Sequence, residues 1–229
     1  MHVALSKEKI IALEAETHGQ SDDILWFMER QKRITASIVK RVACRRERTP
    51  PEKLVESIVY RRSFFSVATA YGQETEDVAR QAYLKLMRLT KPALTVRKVG
   101  GLCVSVSQPW LAGSPDGAVQ DPSEAEEGLL EIKCPSSAVG TALFKCARKR
   151  TFCLRRESRK LQLRKSHAYF YQIQVQMFVA CKPWCDVCVY TPTKFFVQRI
   201  RYDPNFICKI LPKLQHFYCT FVLPRLCKH

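Results

Sequence analysis

The chain has 229 residues, 46% of them hydrophobic, and carries a formal net charge of +17 with a pI near 9.6. This size and composition fit one α/β domain with a sizeable core, and the positive charge favours a polyanionic partner. No apolar run approaches the roughly 18 residues that a membrane span needs, and the N terminus lacks the apolar core of a secretory signal. We therefore expect an intracellular protein, in the nucleus or the cytoplasm.

Eleven cysteines in a chain without a secretory signal favour reduced thiols over a disulfide framework. Cys181, Cys185 and Cys188 have a spacing that could ligate zinc or an iron–sulfur cluster, with His216 and the C-terminal cysteines as further ligands. Cys185 and Cys188, however, fall in a predicted strand, where a three-residue offset points them to opposite faces. The pattern favours small core residues over a metal cluster.

The first third of the chain is predicted to be helical. Ser6 caps the first helix, Ser21 with two following acids marks the start of a second, and Pro51 lies in the first turn of another. Residues 69–90 predict a longer helix, which Pro92 ends. Its predicted apolar stripe consists of Val78, Ala79, Ala82 and Leu86.

Short β-rich runs follow at residues 93–99, 101–107 and 117–120, and an acidic turn joins the last run to residues 128–135. These runs predict a three-stranded meander. The acidic segment 121–127 is interpreted as an exposed turn. The basic segment 144–167 predicts a hairpin or a mobile loop over a nucleic-acid face, with a solvated loop or a nuclear-import patch as the alternatives.

The C-terminal part returns to helix at residues 167–182 and continues with two strands around the turn at 191–194. Residues 204–226 predict an apolar helix, or a helix pair broken at Pro212. This order of elements predicts one mixed-sheet α/β body preceded by a helical cap.

A Glu-x-Lys pair in the segment "LLEIKCP" is the strongest candidate for chemistry. Glu131 and Lys133 point to one face of the predicted strand, while Leu130 and Ile132 face the core. Asp116, in the tight turn "SPDG", comes beside Glu131 if the flanking strands pair. The two carboxylates and the Ile132 carbonyl would offer hard oxygen ligands to Mg²⁺ or Mn²⁺. The Lys133 ammonium would then orient or activate water for attack on a phosphodiester; the alternative is an exposed cross-strand ion pair.

Four segments over residues 24–192 resemble the YqaJ-like viral recombinase group of the PD-(D/E)xK nuclease superfamily, which includes phage lambda exonuclease. "SPDGAV" with "LLEIKCP" resembles the active-site signature, and Trp26, Arg30 and "ITAS" at 34–37 resemble the N-terminal element. "YGQETEDVARQAY" resembles the G-x3-E-x2-A helix, and "HAYFYQIQVQMFV" resembles the Y-x-x-Q-x-Q helix. The resemblance implies a restriction-endonuclease-like fold, with a mixed central sheet flanked by helices. It also implies a single nuclease domain over 1–229, with a helical cap (1–65), a core (66–192) and a C-terminal strand and helix (193–229).

The resemblance assigns roles to the residues that match the motifs. It implies that Asp116 and Glu131 bind metal, that Lys133 positions or activates water, and that Glu76 joins the metal shell through water. It further implies that Gln172 orients groups around the site. The implied pocket for a terminal 5′-phosphate consists of Arg30, Ser37 and Ser114.

Alternatives remain for several of these side chains. Glu74 is a rival for the role of Glu76, and Gln172 and Gln176 share a helix face with Tyr169 and could simply line a polar groove. The remaining alternatives concern the phosphate pocket: Arg30 could pair with Asp22 or Asp23, and Ser37 could be a helix-start hydroxyl beside Thr35.

The function predicted from the motif is that of a metal-dependent deoxyribonuclease using Mg²⁺ or Mn²⁺. The resemblance adds a 5′-to-3′ exonuclease on double-stranded DNA ends, in recombination or in viral or mobile-element DNA processing. It also suggests a single-strand annealing partner and a homo-oligomer. One alternative is a catalytically inactive DNA-binding module on the same fold. Another is a cysteine-cluster nuclease, which requires the C-terminal cysteines to converge.

Overall fold

Short N-terminal helices, a strand-rich middle and two further helical segments follow one another in a computed structural model of the chain. It describes residues 6–17, 23–60, 67–99 and 101–228, and the side chains of residues 67–74 are outside this description. The helices are α1 (Lys7–Glu16), α2 (Ile24–Gln31), α3 (Val39–Ala43), α4 (Glu52–Val59), α5 (Val67–Arg88), α6 (Leu143–Cys146), α7 (Ala168–Ala180), α8 (Pro204–Phe217) and α9 (Leu223–Leu226). The strands are β1 (Ile34–Thr35), β2 (Thr95–Lys98), β3 (Cys103–Val104), β4 (Leu111–Gly113), β5 (Gly117–Gln120), β6 (Gly128–Lys133), β7 (Leu154–Glu157), β8 (Lys160–Leu163), β9 (Trp184–Thr191) and β10 (Lys194–Arg201).

Side-chain caps begin the helices largely where the sequence predicts them. Ser6 Oγ accepts a hydrogen bond from the Lys9 amide at 3.3 Å at the start of α1. Ser21 is outside the described residues, and Asp23 caps α2 instead, through a 2.8 Å bond from the Leu25 amide. Pro51 immediately precedes α4. None of the described helices is long and apolar enough to cross a membrane.

A five-stranded mixed sheet forms the centre, in the order β10-β9-β6-β5-β2. β6 and β9 pair in parallel, and the other neighbours pair antiparallel. Helices flank this sheet, which confirms the predicted fold class. The β9–β10 hairpin also lies where the turn at 191–194 predicts it, and β10 extends the central sheet beyond residue 192.

The predicted meander is wrong in one strand, because β3 leaves the central sheet. It pairs with β4, which pairs with β1, while β2 pairs directly with β5. The cause is packing against α1: Leu102 and Val104 are buried with Ile10 and Leu13. The Leu102 amide also donates to Thr17 Oγ1 at 2.8 Å.

The two faces of the central sheet are covered by α5 and α7. Cys185 packs on the α7 side and Cys188 on the α5 side, as the predicted three-residue offset requires. The predicted stripe of α5 is wrong in part, since Val78 is 53% exposed and Leu86 is 43% exposed. The helix contacts the sheet through Ala79 and Tyr83, and the Tyr83 hydroxyl donates to Asp186 Oδ2 at 2.7 Å.

The N-terminal and C-terminal helices share one hydrophobic cluster. Val42 and Ile58 from the N-terminal helices are buried with Leu214 and Phe217 of α8. Of the two forms predicted for residues 204–226, the single helix is the one observed at Pro212: α8 passes through this residue, and a π-helical turn at Tyr218–Val222 follows it. Pro212 is exposed, so the carbonyl that loses its donor one turn earlier can bind water.

The acidic segment 121–127 is not simply an exposed turn, because Asp121 is fully buried. Asp121 accepts from Lys91 Nζ at 2.5 Å and from Arg199 Nη1 at 2.7 Å. These bonds outweigh the effect of burial and lower the pKa of Asp121 below its ordinary value. Arg199 also binds both carboxylate oxygens of Asp186 at 2.8 Å and stacks 3.7 Å from the Trp184 ring centroid. The segment still turns after Asp121, but Lys91, Ser123 and Arg199 hold the Asp121 carboxylate inside the protein.

Candidate active site

Strand pairing brings the two carboxylates of the Glu-x-Lys motif and the upstream turn together. β5 and β6 pair antiparallel with Gly117 opposite Leu130, which sets Asp116 beside the end of β6. The Asp116 amide donates to the Leu130 carbonyl at 3.1 Å, and Asp116 Oδ2 accepts from the Ile132 amide at 2.6 Å. The backbone of β6 therefore fixes Asp116 on the level of Glu131.

Glu131 is only 1% exposed and is held by three nitrogen donors. Lys133 Nζ and Gln172 Nε2 each lie 2.5 Å from Oε1, and Gln176 Nε2 lies 2.8 Å from Oε2. An ionised carboxylate has about four acceptor sites, so one site remains after these three bonds. Lys133 Nζ is also 5.1 Å from the centroid of the Tyr169 ring.

Gln176 contacts the candidate active site, although the sequence predicted for it only that it could line a polar groove. It lies one helical turn after Gln172 on α7, and both amides reach the same carboxylate. Gln176 Nε2 also donates to the Ser114 carbonyl at 3.2 Å. The signal that could have found it is the Gln-x3-Gln spacing on one helix face.

Glu76 comes to the same site from α5. Arg80 Nη2 lies 2.5 Å from Glu76 Oε1 and also donates to the Asp116 carbonyl at 3.3 Å. Arg80 therefore links Glu76 to the turn that carries Asp116. The predicted rival Glu74 has its side chain outside the described residues.

Burial and like charges dominate the electrostatics of the site. Burial, followed by the charge of Glu131, raises the pKa of Asp116 well above its ordinary value. Burial also raises the pKa of Glu76. The negative charge of Glu131 adds to this rise, and the positive charge of Arg80 opposes it. For Lys133, burial alone would lower the pKa, but the charges of Glu131 and Asp116 outweigh it and raise the pKa. Lys133 is therefore an ammonium group paired with Glu131.

The residues implied for the phosphate pocket lie next to this cluster. β1 pairs in parallel with β4, with Thr35 opposite Ala112, so the chain after Thr35 runs alongside the end of β4 that leads to Ser114. Trp26 Nε1 donates to Ser114 Oγ at 3.1 Å, and the Arg30 guanidinium lies 3.9 Å from the centroid of the Trp26 ring. Arg30, Trp26 and Ser114 thus form one contiguous unit, which Gln176 connects to Glu131.

The other pocket predictions have a mixed outcome. Ser37 is exposed, and its hydroxyl lies 3.2 Å from Thr35 Oγ1, at the start of a short 3-10 turn. This contact matches the alternative role beside Thr35. Asp23 uses its carboxylate to cap α2, and Asp22 is outside the described residues.

His167 joins the active-site helix to the preceding basic segment. Its Nδ1 caps α7 by accepting from the Tyr169 amide at 3.2 Å, and the two rings are 4.4 Å apart. Burial, followed by the positive charges of Lys40, Arg164 and Lys133, lowers the pKa of His167. The neutral ring is the form that can accept this capping bond.

The cysteines do not gather into a ligand set in the part of the chain that the structure describes. All eleven are free thiols, with Cys208, Cys219 and Cys227 exposed and Cys185 and Cys188 buried on opposite sheet faces. Within the same described ranges, no three His, Cys, Asp or Glu side chains converge as a preformed metal site. The Arg80 and Lys133 cations instead accompany the carboxylates of Glu76 and Glu131.

Comparisons with known proteins identify the family and the fold of the chain. The model of the YqaJ-like viral recombinase domain matches residues 25–183. The alkaline exonuclease LHK-Exo from Laribacter hongkongensis is 25% identical with a TM-score of 0.61, over 85% of this chain and 90% of that chain.

The SOX protein of Kaposi's sarcoma-associated herpesvirus has a similar fold. In the crystal structure of a SOX–DNA complex, the SOX chain is 13% identical to this chain with a TM-score of 0.62, over 93% of this chain and 70% of the SOX chain. In the structure of a SOX–RNA complex, the SOX chain is 11% identical to this chain with a TM-score of 0.62, over 93% of this chain and 73% of the SOX chain. No protein of curated function matches the sequence. Because the family match spans α2 through α7 and includes the whole candidate site, the chain belongs to the YqaJ-like viral recombinase family of nucleases.

Proposed function

We propose that the chain is a divalent-metal-dependent deoxyribonuclease, acting as a 5′-to-3′ exonuclease on double-stranded DNA ends. The observation that carries the proposal is the placement of Asp116, Glu131 and Lys133 at one end of the central sheet, with Glu131 buried and oriented by two glutamines. DNA is favoured as the substrate by the charge of +17 and by membership of a viral recombinase family.

The types of donor gathered here are those that a hard divalent cation prefers, although within the described residues they do not form a preformed site. Asp116 and Glu131 offer carboxylate oxygens, Glu76 lies close enough for its pKa to respond to Glu131, and the Ile132 carbonyl is the predicted fourth donor. Burying neighbouring carboxylates is unfavourable unless a cation compensates their negative charge. The raised pKa values of Asp116 and Glu76 indicate that this charge is not fully compensated in the protein alone. When bound there, Mg²⁺ or Mn²⁺ would stabilise negative charge on the phosphate and make water more acidic.

The protein side chains then have separate tasks. Lys133 pairs with Glu131 as an ammonium group, and it would orient or activate the attacking water and stabilise phosphate charge. Gln172 and Gln176 hold Glu131 in one orientation. Because Glu131 is almost fully buried, the glutamines replace the water molecules that would otherwise solvate it.

End recognition is assigned to the unit of Arg30, Trp26 and Ser114. A guanidinium and a hydroxyl suit the oxygens of a terminal 5′-phosphate, and the Trp26 ring fixes the guanidinium plane. Ser37 would extend this pocket from the exposed turn after β1. A homo-oligomer and a single-strand annealing protein are the partners we propose for such an enzyme, in recombination or in viral or mobile-element DNA processing.

A catalytically inactive DNA-binding module on the same fold is the alternative. Buried carboxylates facing a polyanion would weaken DNA binding by repulsion. The chain nevertheless keeps Asp116 and Glu131 and holds Glu131 with three donors, which favours catalysis.

The test incubates linear and closed-circular duplex DNA with the protein in Mg²⁺, in Mn²⁺ and in chelator. We expect digestion of linear DNA only, faster for 5′-phosphorylated ends than for 5′-hydroxyl ends, and its loss in Asp116→Asn and Lys133→Ala. Lys85→Ala, which removes an exposed cation from the far part of α5, is the matched control and should remain active. Intact linear DNA in both metals would refute the enzyme, and cleavage of closed circles would refute the exonuclease.

A further inference from the structure

A basic pocket lies between α6 and the β7–β8 hairpin, outside the candidate active site. Its volume is about 580 Å³, within the usual range of about 300–1,000 Å³ for ligand pockets. Its lining includes Phe144 and five cations: Lys145, Arg148, Arg155, Arg156 and Arg164. Residues 144–167 contain ten lysines and arginines and a single acid, Glu157.

Two of the five cations already have partners in the protein. Arg155 pairs with Glu157 at 2.5 Å. Arg164 donates to the carbonyls of Phe152, Leu154 and Ala147 at 3.0 to 3.1 Å, and thereby ties α6 to the hairpin.

The other three cations are Lys145, Arg148 and Arg156. Within the described ranges of the chain, none of these three side chains has a carboxylate at ion-pair distance. All three side chains are exposed to solvent. Three neighbouring positive charges without a carboxylate are the arrangement that a polyanion neutralises.

The pocket is built on a packed platform. Leu143, Phe152, Leu154 and Leu163 are buried in the cluster that covers the α7 side of the central sheet. The Leu163 amide also donates to Gln198 Oε1 of β10 at 2.8 Å. The backbone that carries Lys145, Arg148 and Arg156 is therefore ordered before binding, which lowers the ordering cost of binding.

Phe144 indicates which polyanion fits. Its ring is 49% exposed at the pocket beside the cations. Sites for single-stranded nucleic acid combine positive charge along the backbone with aromatic rings on which unpaired bases stack. A duplex offers such a ring only the outer faces of its terminal base pairs, whereas every base of a single strand is available for stacking.

The pocket is also close to the candidate active site. Arg164 at the pocket is five positions before Tyr169, whose ring is 5.1 Å from Lys133 Nζ. An extended chain of five residues spans at most about 18 Å, and about five nucleotides of a strand cover the same distance at about 3.4 Å each. A strand that reaches Lys133 can therefore continue into the pocket.

We propose that this pocket binds a single-stranded segment of nucleic acid next to the active site, with phosphates on Lys145, Arg148 and Arg156 and a base on Phe144. The proposal rests on the proposed nuclease function for its substrate. The proposal goes beyond that function because it assigns a second binding site to the segment between β6 and α7.

The test measures binding by fluorescence anisotropy in chelator, which prevents digestion, from 50 to 200 mM salt. It compares a 15-nucleotide single strand with a blunt 15-base-pair duplex, for wild type, for Lys145→Ala/Arg148→Ala/Arg156→Ala, and for a charge-matched control, Lys85→Ala/Lys209→Ala/Lys213→Ala. The control cations are exposed on α5 and α8. Duplexes with a 3′ tail or a 5′ tail show which strand supplies the segment.

Three lost phosphate contacts should reduce the slope of log affinity against log salt by about 2, since each contributes about 0.7 for a single strand. Over this fourfold salt range, wild-type affinity for the single strand should therefore fall about 20-fold more than that of the pocket variant. Phe144→Ala should weaken the same binding at least about fivefold, and Phe144→Tyr should retain it.

Equal slopes for the pocket variant and wild type, or an equal loss on the blunt duplex, would overturn the proposal. So would equal effects of the pocket and control variants. A protein that binds the single strand through these residues but leaves linear duplex intact in Mg²⁺ would instead refute the nuclease function and leave the pocket standing.

Discussion

Gln176→Met tests whether α7 positions the candidate catalytic carboxylate. Gln176 donates to Glu131 Oε2 at 2.8 Å, and Glu131 is 1% exposed, so water cannot easily replace the lost donor. A hydrogen bond to a charged group contributes about 1.5–3 kcal/mol. If the bond is maintained in the transition state, its loss lowers kcat about 10- to 150-fold, measured as the initial rate of digestion of linear duplex DNA.

The same helix offers a matched control in Gln174→Met. Gln174 is fully buried, donates to the Arg201 carbonyl at 2.9 Å and accepts from the Asp203 amide at 2.8 Å, away from the site. Two neutral hydrogen bonds contribute about 1–3 kcal/mol together, which corresponds to a Tm lower by about 2–12 °C. Gln174→Met should therefore lose stability but keep kcat below its Tm. If both variants lose activity only in proportion to their unfolded fraction, Gln176 has no positioning role.

Three further predictions concern stability, end recognition and pH. Arg199→Met leaves buried carboxylates without their cation and should lower the free energy of unfolding by about 3–5 kcal/mol. Arg201→Met removes a side chain that is 61% exposed and should lower the free energy of unfolding by less than about 1 kcal/mol. Equal denaturant midpoints for the two variants would contradict this prediction. Trp26→Leu should raise KM for 5′-phosphorylated duplex ends more than for 5′-hydroxyl ends, and an equal rise would remove the ring from end recognition. The raised pKa values of Asp116 and Glu76 mean that the folded state binds protons more tightly than the unfolded chain, so stability without metal falls as pH rises above about 4. Mg²⁺ offsets this repulsion and should raise Tm more at pH 8 than at pH 5.5, a difference that Asp116→Asn should reduce.

The sequence predicted the parts of the site that depend on strand geometry. Two-residue alternation places Glu131 and Lys133 on one face, and a tight turn between neighbouring strands brings Asp116 to them. Local spacing is sufficient here, because the pairing of β5 with β6 involves adjacent segments of the chain. The same reasoning separated Cys185 from Cys188.

The parts that the sequence could not predict depend on contacts between distant segments. Nothing local to β3 indicates that its apolar residues pack on α1 rather than on the central sheet. Asp121 resembles an ordinary turn residue until Lys91 and Arg199, 30 and 78 positions away, reach it. A hydropathy pattern also undervalues Tyr83, whose ring is buried while its hydroxyl binds Asp186.

The position of Gln176 suggests how end binding and hydrolysis are coupled. Its amide contacts the Ser114 carbonyl on one side and Glu131 on the other, and Ser114 Oγ accepts from the Trp26 ring that supports Arg30. A terminal phosphate that shifts Ser114 would therefore act on the orientation of Glu131 through the amide of Gln176, which binds both residues. If that coupling operates, Gln176→Met should reduce the rate advantage of 5′-phosphorylated over 5′-hydroxyl ends, whereas Lys133→Ala should slow both ends alike. An unchanged advantage in Gln176→Met would show that end recognition and hydrolysis are independent.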